Sequence, residues 1–293
     1  MTFAAASLAP GNAALLLAGD KGTPQAIKLI EKELGLDQPF LVRYGRFVSK
    51  AAQGDFGRSY YGTRAPVGDK IRENLPMTLR ISLWAILLAA LIGVTLGTMA
   101  ALHADSWLDR LILGTSTFGV TVPNFVLAPL LIYFFAIHLD VLPTGWTPER
   151  VASDFYYLVL PVSILSLRPM ATITRLTRAT TLDTIGQDYI ALAIAKGVPT
   201  GRLIRRHILR NSLLPVLTAI GTSFGFLLTG SFILETAFTL PGIGREGIEA
   251  IQRRDTPMIL ATTLVAGVLF IGVNLLVDLL QPILDPRIRE SQV

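Results

Sequence analysis

Lys196, Arg202, Arg205, Arg206 and Arg210 crowd positive charge into one short stretch of the chain. Four of them, Arg202, Arg205, Arg206 and Arg210, stand at i, i+3, i+4 and i+8, which on a helix is a single face. Leu203, Ile204 and Ile208 fall largely on another. A short helix that is cationic on one side and apolar on the other either docks into a groove on a soluble partner or lies on anionic lipid heads. The segment before it, "DYIALAIAK", reads as a helix from Asp188 to Lys196. Gly197 then terminates it, Pro199 forbids its continuation and Thr200 is placed to cap the next helix. The outline resembles a helix-turn-helix, but confinement between two apolar spans argues against DNA reading.

The remaining residues with chemical capacity are sparse. The chain has no cysteine, which removes disulfides, thiolate metal sites and cysteine nucleophiles. The three histidines, His103, His138 and His207, are too scattered to predict a metal site or a catalytic triad. There is no G-x-x-x-x-G-K-[ST], no H-E-x-x-H and no G-x-S-x-G. Gly242-Ile-Gly244-Arg-Glu-Gly247 matches G-x-G-x-x-G, but a dinucleotide fingerprint needs a preceding strand and a βαβ unit. Here an apolar span and Leu240-Pro241 come first, so a turn is the better reading. No catalytic, cofactor-binding or metal residues are therefore expected, and any driving energy must come from a partner or an ion gradient. Ionisable residues at membrane depth are functional candidates by default: Arg168, Glu235 and Asp278, with Asn274 one turn before Asp278. They either pair helices or line a pathway. Thr115, Thr117, Thr121, Thr218, Ser223 and Thr229 share that ambiguity.

These residues need a membrane scaffold to position them. Of 293 residues, 51% are hydrophobic and only 16% charged, against about a quarter charged in soluble domains. Mean hydropathy is +0.54. A span needs about 20 apolar residues, and five stretches qualify: 79–102, 111–139, 155–176, 213–238 and 258–284. The expected fold is all-α, a polytopic membrane helix bundle. Residues 20–78 are polar enough to form a separate helical lobe. Thr23-Pro24 starts one helix, with Ile27, Ile30 and Leu34 on its face and Gly35 ending it. Asp37 and Pro39 start another, with Phe40, Tyr44, Phe47 and Val48 together, and Val67, Ile71 and Leu75 predict a short third helix before Pro76. Net charge is +5, and the Lys/Arg excess in 177–212 puts that connection in the cytoplasm by the positive-inside rule. The 20–78 lobe is then extracytoplasmic, and "DPRIRESQV" (285–293) a cytoplasmic tail.

With those elements in place the sequence resembles binding-protein-dependent ABC import permeases, in the form used by the dipeptide, oligopeptide and nickel branch. "DYIALAIAKGVPTGRLIRRHILRNSLLPVL" is similar to that family's cytoplasmic coupling loop. "GDFGRSYYGTRAPVGDKIRENLPMTLRIS" resembles its external lobe, "VPNFVLAPLLIYFFAIHLDVLPTGW" its Pro-Phe span and Leu-Pro-x-Gly exit, and "ETAFTLPGIGREGIEAIQRRDTPMI" with "NLLVDLLQPILDPRIR" its last loop, span and tail. The resemblance implies a type I importer permease, not itself an enzyme, in the cell (plasma or inner) membrane. It further implies that the 188–210 hairpin couples to an ATPase. By match to the family or by the cationic face, the coupling residues are Asp188, Tyr189, Ala193, Ala195, Lys196, Gly197, Arg202, Arg206, His207, Arg210 and Asn211. Glu235 and Asp278 also match family positions; Arg168 does not.

Implied partners are a second homologous permease subunit, one or two cytoplasmic ATPase subunits that hold ATP and Mg, an extracytoplasmic substrate-binding protein and membrane lipid, with no nucleic acid. Small peptides are the expected cargo, with nickel chelates, glutathione or oligosaccharides as alternatives. The rival from another class is an ion-gradient-driven secondary transporter using Glu235 and Asp278. Two departures stand out. The family commonly carries Arg-Thr-Ala-Arg before Ala-Lys-Gly, whereas Ala191-Leu192-Ala193-Ile194 stands here. Members also begin with a whole first span, whereas "LAPGNA" comes almost at once, so 1–19 is read as the remnant of that span: either the natural start lies upstream of Met1 or the protein has five and a half spans.

Overall fold

In the computed structural model the described residues are 2–8, 23–61, 63–147 and 154–284, with Ala14 and Ala18 between the first two segments. Most of the 1–19 remnant and the whole of the 285–293 tail lie outside them. The chain divides into two compact units, one made of 1–78 with 241–268 and the other of 79–240 with 269–293.

The first unit begins with α1 (Thr2–Leu8), α2 (Pro24–Leu34) and α3 (Phe40–Ala52). Thr23 caps α2 by accepting the Ala26 amide on its hydroxyl at 3.3 Å, with Pro24 in the first turn, and Gly35 closes the helix at φ 65°. Phe3 of α1 meets Phe40 and Tyr44 edge-on and stacks against Phe47, at 5.4–5.5 Å between ring centres. The G-x-G-x-x-G stretch opens a helix, α11 (Ile243–Arg253), with Gly242 in extended conformation before it; no strand precedes it among the described residues, where the one β-bridge is Arg58–Pro66. Gly247 sits against Thr262, where a Cβ would come within 3.1 Å of the hydroxyl. Asp255 bears on both ends of this unit: it accepts a buried hydrogen bond from the Ser59 hydroxyl and caps the Met258 amide.

The expected short helix before Pro76 is instead the start of α4, which runs unbroken from Val67 to Leu102. Pro76 is exposed, so the carbonyl one turn back that loses its amide donor lies on the outward side. The second unit contains the remainder of α4, then α5 (Trp107–Thr121) and α6 (Asn124–His138). The expected straight span over 111–139 is not one rod: α5 and α6 are bent by 99° at Val122-Pro123. Val122 is β-branched and precedes a proline, which drives it to φ −86°, ψ 120° and out of the helical region. α7 (Asp154–Ile185), α8 (Asp188–Ala195), α9 (Thr200–Gly230) and α10 (Phe232–Ala237) follow, with the part of α12 (Thr256–Leu284) from Leu269 on. The expected 213–238 span therefore ends at Gly230, and its last residues form a separate short helix. Among the described residues four helices, α4, α7, α9 and α12, are long and apolar enough to cross a membrane, and the bent pair makes up to five.

Close packing in this unit rests on small residues. Gly93 and Gly97 of α4 lie so near α7 that a Cβ at Gly97 would stand 2.5 Å from the Thr174 carbonyl oxygen and 2.6 Å from Thr177. Gly221 and Gly225 of α9 receive Val277, Phe270 and Asn274 of α12 in the same way. At the Leu-Pro-x-Gly turn, the Trp146 amide donates to the Phe238 carbonyl at 2.8 Å, and a Cβ on Gly145 would strike that carbonyl.

Candidate coupling hairpin and membrane cavity

The hairpin has its own core. Ile190 and Ala193 of α8 and Leu203 and Ile208 of α9 are buried together, with Ile185, Val198 and Ile204 packed around them. Burying each large aliphatic contributes about 2 kcal/mol, enough to hold two short helices in one shape. The turn is a Schellman cap. Gly197 sits at φ 73°, its amide bonds the Ile194 carbonyl at 2.9 Å, and the Val198 amide bonds Ala193 at 3.2 Å. A Cβ at Gly197 would meet nothing within 4 Å, so the demand for glycine there is conformational and not steric.

Thr200 does not cap α9. Pro199 holds the capping position without a side-chain bond, and the Arg202 and Leu203 amides bond its carbonyl. The start of α9 is also unlike the regular helix expected, because Leu203–Ile208 is π-helical. Residues five apart on an α-helix point about 140° away from one another, which would have sent either Leu203 or Ile208 outward. The i→i+5 turn brings both into the core and leaves Arg202, Arg205, Arg206 and Arg210 exposed.

Asp188, Tyr189, Ala195 and Lys196 are exposed, Ala193 is buried and His207 is half-buried. The Asn211 amide group donates to the Tyr189 hydroxyl at 2.9 Å and to the His207 carbonyl at 3.0 Å, tying α9 to α8. Thr181 of α7 donates to Ser212 at 3.4 Å, both buried, anchoring the hairpin to the span before it. The outward face of α8 is apolar: Leu192 is 56% and Ile194 59% exposed.

The four residues expected at membrane depth do not converge. Glu235 is fully buried and accepts from the Ser231 hydroxyl at 2.8 Å. Asn274 donates to the Phe270 carbonyl one turn back at 2.9 Å and lies beside Gly225. Asp278 is exposed. Arg168 alone lines a cavity of about 710 Å³ between α7 and α9, with Thr172, Thr222, Ser223, Thr229 and Phe226 on its walls and Asn124 of α6 at its edge. Thr115, Thr117 and Thr121 spend their hydroxyl protons on carbonyls of their own helix.

A pair that spacing did not predict holds α5 to α7. Arg178 donates to both oxygens of Asp109 at 2.6 Å, and Asp109 is 2% exposed. The two lie 69 positions apart, so no local pattern links them. Among the described residues no group of three or more His, Cys, Asp or Glu side chains is placed to hold a metal ion.

Comparison with known proteins bears on all of this. The family described as binding-protein-dependent transport system inner membrane component matches residues 93–290, and its N-terminal companion matches residues 1–82. A Brucella abortus (strain 2308) protein described as a peptide transport system permease is 39% identical over 292 residues, covering 99% of this chain and 93% of that protein. The glutathione transport system permease protein of Escherichia coli (strain K12) is 37% identical over 289 residues, covering 99% and 92%. Among solved structures, the MetNI methionine ABC transporter in an inward-facing form aligns with TM-score 0.60 at 16% identity, over 74% of this chain and 96% of that one. An amino acid ABC transporter crystallised with histidines gives 0.58 at 18%, over 73% and 93%. At that identity the likeness concerns the fold.

Proposed function

Since this chain belongs to the binding-protein-dependent transport system inner membrane components, and is a multi-pass permease subunit of an ABC importer, we propose that it carries small peptides and couples to its ATPase through the 188–210 hairpin. It is a transport subunit of a system that includes an ATPase and a substrate-binding protein. In this reading the chain catalyses nothing itself and forms half of a pathway with a second, homologous permease. The hairpin and the tail face the cytoplasm, and the 20–78 lobe faces outward. ATP-driven closure of the ATPase dimer pushes on the hairpin, and the spans convert that displacement into alternating access. Peptide cargo is supported by relatives described as peptide and glutathione permeases.

The observation that carries the coupling reading is the hairpin's construction: a self-supporting two-helix unit, bonded into α7 through Thr181 and Ser212, that presents Leu192, Ile194 and the arginines outward. Where the family commonly has Thr and Arg, Leu192 and Ile194 offer an apolar contact. The grip on the ATPase is then hydrophobic at α8 and electrostatic at α9. Leu192→Ala with Ile194→Ala is expected to weaken recovery of the ATPase with the permease about tenfold or more, each buried aliphatic in a contact being worth about 1.5–3 kcal/mol. Raising salt should weaken the remaining arginine contribution further. Recovery of the ATPase at wild-type level from the double variant, or peptide uptake that survives ATP depletion, overturns this reading. The bend at Val122-Pro123 is a discontinuity of the kind gradient-driven carriers use in pairs, and the ATP-depletion arm tests that rival directly.

A further inference from the structure

Arg168 and Arg175 are both exposed on α7, and among the described residues neither guanidinium has an ion-pair or hydrogen-bond partner. They stand seven residues apart, which is about 20° short of two full turns, with Thr172 between them on the same stripe. The axial separation is about 10 Å. Arg168 lies near the middle of a helix that runs from Asp154 to Ile185, where an unpaired cation is costly unless it faces a water-filled space. It has such a space: the 710 Å³ cavity between α7 and α9.

The wall supplies complementary groups. Thr222, Ser223 and Thr229 of α9 line the same cavity, the Thr222 and Thr229 hydroxyls donating to carbonyls of their own helix and leaving their oxygens as acceptors. A cation beside several hydroxyls makes a surface that receives a carboxylate at one point and an N–H at another.

We propose that the Arg168–Thr172–Arg175 stripe is a hydrated, carboxylate-receiving wall of the translocation pathway, so that the cargo this permease passes is a peptidic acid guided by its free carboxylate. The proposal rests on the permease reading above and adds the chemistry by which the pathway selects. The stripe makes the cargo's carboxylate the group that is handed along the membrane, from one guanidinium to the next.

The absence of cysteine gives a direct test in the complete importer reconstituted in liposomes. Thr172→Cys places one thiol on this chain between the two arginines. An anionic methanethiosulfonate (sulfonatoethyl) is expected to label it about tenfold faster than a cationic one (trimethylammonioethyl), because a nearby unscreened charge attracts the first and repels the second. Arg168→Gln together with Arg175→Gln should bring that ratio to about one. Ser223→Cys on the facing wall gives a second reporter if the first variant assembles poorly. Millimolar alanylalanine should slow labelling, and its C-terminal amide should not. Absence of labelling at both reporters, a charge preference that survives the double Gln variant, or equal protection by acid and amide overturns the proposal. If the charge preference holds while the ATPase is not recovered with the permease, the coupling reading falls and the stripe stands. If uptake needs ATP but the preference is absent, only the stripe falls.

Discussion

Two side-chain positions show what a single residue contributes. Gly197 has open space where a Cβ would go, yet its φ of 73° is one that β-branched residues avoid. Gly197→Val is therefore expected to cost about 1–3 kcal/mol locally and to lower the peptide transported per ATP hydrolysed, with membrane insertion unchanged. Gly197→Asn, which tolerates the left-handed region, should retain most coupling. Equal coupling in both variants and wild type would remove the turn from the mechanism. Asp109 is the opposite case, since its importance is invisible in its neighbours. Asp109→Asn leaves Arg178 without its bidentate anion in a largely buried place, and losing one partner of such a pair costs about 3–5 kcal/mol. Thermal unfolding of the detergent-solubilised importer should show a clear loss for Asp109→Asn and little further loss when Arg178→Met is added. Gly197 was legible because the helix, the glycine and Pro199 are adjacent in sequence. The Asp109–Arg178 pair was not, because only the packing of α5 on α7 brings the two together.

At the scale of elements, prolines show how far pattern reading extends. Pro76 was expected to end a helix and does not, whereas Pro123, inside a stretch expected to be one span, breaks it. Pro76 sits on the exposed side of a long run of helix formers, while Pro123 follows β-branched Val122 and Thr121, which have little helical preference to oppose it. The span count survives this error in part, since length and hydropathy depend on composition and not on whether a helix bends. The G-x-x-x-G pairs at Gly93/Gly97 and Gly221/Gly225 were present in the sequence as plain spacing, and their meaning comes from the helices laid against them. Gly97→Leu is expected to abolish the fit of α4 on α7, because the Thr174 carbonyl backbone cannot retreat. Gly114→Leu, at a site with nothing within 4 Å, serves as the matched control. Comparable yields of assembled importer from the two variants would contradict the packing described here.

For the molecule as a whole, the sequence carries no G-x-x-x-x-G-K-[ST] motif in a chain otherwise shaped for transport. The purified chain without its ATPase is expected to hydrolyse no ATP above background in a phosphate-release assay, and turnover that tracks the chain through purification would point to a nucleotide site of a different kind. Order of motifs along the chain made the family legible; which of the membrane-depth residues meet was not, since Glu235 and Arg168 have similar sequence surroundings but opposite exposure. One feature of the hairpin reaches beyond docking. The π turn at Leu203–Ile208 holds one residue more than an α-helix would in the same length. Any load that irons it flat must rotate the helix beyond it by about 100°, and Ser223 and Thr229 ride on that helix. On the coupling reading proposed above, a short push on the hairpin is then delivered at the cavity wall as a turn, the action of a cam.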